Sequence, residues 1–96
     1  MPFANFGGYS FSPASIRKNA PESGGVYGIS NSREWLLVGT SDNIQAALLS
    51  LLVEPGASLR AHIPTGFTFE LCESDRLTRQ QRLIFEMKPV CNHRTH

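Results

Sequence analysis

Hydrophobic and polar positions alternate most clearly between residues 25 and 52. Val26, Tyr27 and Ile29 form one β-rich run, and Trp35-Leu36-Leu37-Val38 forms a second. The polar Asn31-Ser32-Arg33-Glu34 between them can turn the chain, so the pattern predicts a hairpin whose second strand ends at Gly39. Thr40, Ser41 and Asp42 then offer side-chain oxygens to the unpaired amides of a helix start. In that helix Ile44, Ala47, Leu48, Leu51 and Leu52 fall at helical spacing and make one core-facing stripe. Ala46, Leu49 and Val53 lie off the stripe, which leaves the helix apolar around most of its circumference. Glu54-Pro55-Gly56 ends it.

The flanks are read by the same rules. Phe3, Phe6 and Tyr9 sit among small residues with no regular period, and are expected to be an irregular arm. Ser12-Pro13 places a capping hydroxyl before a proline suited to the first helical position, which predicts a short helix over Pro13–Asn19, stopped by Pro21. Residues 57–66 read as a loop. Phe67, Phe69 and Leu71 alternate with Thr68, Glu70 and Cys72, as in a half-buried strand. Ser74 is the expected N-cap of a last helix, with Asp75 in its first turn and Leu77, Leu83, Ile84 and Met87 along it, closed by Lys88-Pro89. The expected architecture is α+β, a small three-stranded antiparallel sheet flanked by helices in the order α-β-β-α-β-α. Residues 1–96 form one expected domain, with its core over about 21–92.

Composition narrows the function. Nine Lys and Arg against eight Asp and Glu leave a net charge of +1, without the strong positive field usual in a phosphate-backbone binder. The longest apolar run falls far short of the about 20 residues that span a bilayer. Two cysteines are too few for a disulfide scaffold, and no basic segment followed by an apolar run opens the chain, so a cytoplasmic protein is expected.

Three pieces of sequence, in order, resemble the GIY-YIG nuclease superfamily. Gly25-Val26-Tyr27 stands where that family has Gly-Ile-Tyr. Leu37-Val38-Gly39, followed by Ser41-Asp42-Asn43-Ile44, stands where it has Tyr-Ile-Gly and the next helix start. Leu83-Ile84, then Lys88-Pro89 and Asn92, resemble its closing helix and Pro-x-x-Asn end. The resemblance covers residues 21–92 and implies the same small antiparallel sheet with helices around it.

It also implies a site, and here the chain departs from the family. Active members join to the first tyrosine a second tyrosine, an arginine on the following helix and a metal-holding glutamate on the last helix. Those positions are Leu37, Ala47 and Gln80, whereas Tyr27, Gly39 and Asn92 are retained. Leucine has no oxygen to orient water, and alanine no guanidinium to stabilise charge on phosphate. Glutamine keeps the shape of glutamate without the charge that a hard cation prefers. The expectation is therefore a catalytically degenerate domain that acts as a binding or interaction module, with no cofactor. The alternatives are a divergent, Mg²⁺-dependent endonuclease cleaving DNA phosphodiester bonds, or non-catalytic nucleic-acid binding.

Other constellations have plainer readings beside the chemical one. Arg76, Arg79 and Arg82 recur every three residues and, with Lys88, are candidates for binding nucleic acid; the simpler reading is a solvated helix face. Cys72, Cys91, His93 and His96 are zinc-type ligands in loose spacing, so no metal site is expected. Tyr27 reads as a packed strand tyrosine rather than a reactive phenol. Ala46, Leu49 and Val53 are candidates for a homo-oligomer interface through the central helix, unless the N-terminal arm covers them.

Overall fold

The structure, a computed structural model, describes residues 8–92. Its centre is the hairpin. Strand β2 (Gly25–Ser30) pairs antiparallel with β3 (Trp35–Ser41), Tyr27 opposite Gly39 and Ile29 opposite Leu37, before the register shifts so that Ser30 meets Trp35. This bulge places Leu36 in one core cluster and Val38 in the other, although strict alternation would put both on one face. The turn holds because Asn31 Oδ1 accepts from the backbone N–H of Arg33 at 2.8 Å and of Glu34 at 2.9 Å. Gly39 does not end the strand, as was expected, because Thr40 and Ser41 go on pairing with Val26 and Gly25.

The sheet has four strands rather than three, in the order β1-β4-β2-β3. Strand β4 (Gly66–Leu71) lies on the other side of β2, and β1 (Tyr9–Ser10) pairs with β4 beyond it. Two residues carry no readable alternation, which is why β1 passes for an arm. Its Tyr9 ring stacks on Phe69, with centroids 5.9 Å apart. Phe3 and Phe6 lie outside the described residues.

Helix α1 (Pro13–Asn19) is capped as expected, the Ser15 N–H donating to Ser12 Oγ at 3.3 Å. Helix α2 (Ile44–Val53) is capped by Asn43, one residue beyond the Thr40–Asp42 stretch expected to cap it. Asn43 Oδ1 accepts from the Ala46 N–H, and Ser41 Oγ supports the turn by accepting from Asn43. A further helix, α3 (Gly56–Ala61), occupies part of the stretch read as loop; six residues are too few to show a period, and its buried side chain is Leu59. Helix α4 (Arg76–Met87) begins after Asp75, whose backbone is left-handed, and Ser74 is not its cap. The Ser74 carbonyl instead accepts from the Cys72 thiol at 2.8 Å. The order is therefore β-α-β-β-α-α-β-α.

Two apolar clusters divide the sheet. Ile16 of α1 and its C-cap Ala20, Ile44 and Leu48 of α2, and Leu59 of α3 pack with Tyr27, Ile29, Leu36 and Phe67. On the other side, Leu83 of α4 packs with Val26 and Val38. Leu49 is drawn partly into the first cluster, whereas Ala46 is exposed and Val53 is 78% exposed, so the off-stripe residues of α2 form no continuous exposed ridge.

Candidate functional site

Tyr27 stands in the middle of β2, facing the helices. Its ring lies over Gly39 on the neighbouring strand, where a Cβ would run into the phenol. Glycine is thus required at this position by close approach, not by backbone angle. Burial leaves Tyr27 only 8% exposed and pushes its pKa above the ordinary tyrosine value, because the phenolate would lose its water. Leu37 and Ala47 are half-buried against the same cluster. The side of the sheet that Tyr27 faces is therefore apolar at both positions where the resemblance implies a phenol and a guanidinium.

Gln80 and Asn92 meet at the backbone of Val38, the residue before Gly39. Gln80 Nε2, from α4, donates to the Val38 carbonyl at 3.0 Å, and Asn92 Nδ2 donates to the same oxygen at 3.1 Å. The Val38 N–H donates back to Asn92 Oδ1 at 2.6 Å. The Asn92 carboxamide thus pairs with the N–H and the carbonyl of one residue, as a residue of a neighbouring strand would. Just before it, the Val90 N–H donates to the Trp35 carbonyl and the Cys91 N–H to the Leu36 carbonyl, so residues 90–92 run along the outer edge of β3. Beside this strap a groove of about 450 Å³ is lined by Leu37, Pro55, Ala57, Leu59, Val90 and Cys91. The α3 side of that groove was hidden from sequence reasoning by the loop reading.

The arginines of α4 divide. Arg79 grips Glu70 of β4 with two bonds of 2.7 and 2.8 Å, and the hydrogen bond to this carboxylate raises the guanidinium pKa further. Arg76 pairs with Asp42 and donates through Nε to the Cys72 carbonyl at 2.6 Å, with its head packed over Gly24. Both hold α4 to the sheet. Arg82 and Lys88 are exposed. Cys72 and Cys91 pack against different clusters, and His93 and His96 lie outside the described residues. Among the described residues, no three His, Cys, Asp or Glu side chains gather as a metal would require.

Four solved structures share this architecture at a probability of 1.00, all of the N-terminal endonuclease domain of UvrC from Thermotoga maritima. The fold is GIY-YIG-like. One tyrosine-to-phenylalanine mutant of that domain superposes with a TM-score of 0.65 at 23% identity, over 82% of this chain and 96% of that one. An asparagine-to-alanine mutant gives 0.63 at 22% identity, over the same shares of the two chains. Both are described as bound to their catalytic divalent cation. No family model matches the chain, and no curated protein does.

The residues at the positions where the sequence resemblance implies a site make a poor donor set for a divalent cation. Gln80 offers one neutral amide oxygen, its nitrogen being engaged with Val38, and Leu37 and Ala47 offer no donor. A hard cation binds through anionic oxygens, so this donor set holds it poorly. No helix among the described residues is long and apolar enough to cross a membrane.

Proposed function

We propose that this chain is a non-catalytic GIY-YIG-like domain that serves as a binding or interaction module. The observation that carries the reading is the bonding at Val38. The side chains that α4 and the C-terminal segment bring to this edge are two neutral carboxamides, Gln80 and Asn92, and both are hydrogen-bonded to the strand instead of pointing carboxylate oxygen at a substrate. Phosphodiester hydrolysis needs nucleophile activation and stabilisation of the developing phosphate charge in one place. Tyr27 alone, buried and protonated well above neutral pH, supplies neither.

The fold itself favours the second reading, a divergent endonuclease, since the structures it resembles are endonuclease domains. Nicking assays separate the two. Purified protein incubated with plasmid and branched DNA, in Mg²⁺ and then in Mn²⁺, is expected to leave both substrates intact. Cleavage that co-purifies with the protein and disappears in Tyr27→Phe would establish the endonuclease.

A further inference from the structure

Residues 89–92 close onto β3 as a separate piece. The Val90 and Cys91 N–H groups donate to the Trp35 and Leu36 carbonyls, the Asn92 carboxamide bonds to Val38, and Val90 and Cys91 pack against the first apolar cluster. Pro89 is buried with them. Lys88 alone joins this strap to α4, and its backbone is left-handed, with φ 49° and ψ 57°. A lysine is strained there, because its Cβ crowds the backbone in a conformation that glycine takes freely. The following proline adds to the strain, since it drives the residue before it towards extended backbone. Ile63 and Asp75 are left-handed too, but Ile63 lies between α3 and β4, and Asp75 between β4 and α4. Only at Lys88 can the strain be relieved by moving a terminal strap.

We propose that this strap exchanges between two copies of the chain: Lys88 swings to extended backbone, and residues 89–92 of each copy occupy the edge of β3 in the other. The occupant and its seat are the pair already joined within one chain, so the exchange needs no new complementary surface. It remakes the bonds to Trp35, Leu36 and Val38, and differs from two closed monomers at the hinge. Reciprocal exchange of one element closes the assembly at two copies. Each Val38 is then held by Gln80 of its own chain and by the partner's Asn92.

Strap and seat within one chain meet at an effective concentration in the millimolar range, which favours the closed monomer in dilute solution. Relief of roughly tenfold at each of two hinges offsets this and sets the dissociation constant of the exchanged dimer at about 10 μM. The dimer is accordingly concentration-dependent. It requires nothing of Tyr27 and stands whether or not the domain cleaves DNA.

Disulfide trapping reads the exchange directly. Ser58 Oγ of α3 donates to Cys91 Sγ at 3.3 Å, so Ser58→Cys sets a second thiol beside that of the strap. In the full chain carrying Ser58→Cys and Cys72→Ser, oxidation links positions 58 and 91 within one chain when the strap is closed, and between two chains when it is exchanged. Non-reducing denaturing gels of samples equilibrated and oxidised from about 1 μM to about 1 mM are expected to pass from monomer to linked dimer. Lys88→Gly removes the strain without touching a bond of the strap, and should raise the concentration of that transition about a hundredfold, tenfold for each hinge. Lys88→Val, whose branched Cβ is worse suited to a left-handed backbone, should lower it. Sedimentation velocity of the unmodified chain and of Lys88→Gly should give the same ranking without cysteine chemistry. Links confined to single chains up to about 1 mM, or a dimer fraction that Lys88→Gly leaves unchanged, would each overturn the proposal.

Discussion

At Val38 the hydrogen-bond inventory of one side chain decides what the position tolerates. Gln80 donates an amide hydrogen to a carbonyl oxygen, and a carboxylate in its place has no hydrogen to give. Gln80→Glu, which restores the charge implied by the family resemblance, is therefore expected to cost about 1–3 kcal/mol of stability at neutral pH. A carboxylate facing a carbonyl has its folded-state pKa raised above the unfolded value of about 4.3. The deficit should then shrink as pH falls towards that value, where the acid is protonated and can donate. Denaturant titrations of wild type and variant at pH 7 and pH 4 check this; an equal deficit at both would remove the carbonyl as the cause. Tyr27 works in the same direction at the other end of the scale. Its folded pKa is raised above 10.0 by burial, so its contribution is fully present below pH 10.0 and is lost as pH rises through the folded value. Wild type should lose more stability than Tyr27→Phe between pH 9 and pH 11, both roughly bracketing the ordinary tyrosine value, and parallel curves would exonerate the phenol.

The elements that the sequence displays are those with enough residues to repeat. Val26, Tyr27 and Ile29, the stripe through Ile44 and Leu48, and the alternation from Phe67 each ran long enough to specify strand, helix and strand. The failures were short or depended on distant partners. β1 is two residues and α3 is six, and the bulge that separates Leu36 from Val38 has no composition of its own. The strap along β3 was equally unreadable, since nothing in Val90-Cys91-Asn92 announces that it will bond to residues more than fifty positions earlier. Asn92→Ala should release it. The variant is expected to lose about 1–2 kcal/mol of stability through the bonds to Val38, and amide exchange at Val38, Val90 and Cys91 should quicken together. Exchange that quickens at Val38 alone would mean that the strap stays in place without its last residue.

Across the molecule, the α+β class and the antiparallel sheet flanked by helices follow from hydrophobic period, whereas the arrangement of the site follows from which side chain finds which partner. Arg76 and Arg79 illustrate the difference. Their spacing on one helix suggested a basic face, but carboxylates on other elements, Asp42 before α2 and Glu70 on β4, take both guanidinium groups. The same sheet also constrains how the chain can assemble. Its third strand in sequence after β1 is inserted beside it, because β4 separates β1 from β2. During synthesis the β2–β3 hairpin can close as soon as it has emerged, but β1, made first, has no strand to join until residues 66–67 are available. The amino-terminal edge of the sheet is thus fixed late, by the translation of a segment more than fifty residues downstream.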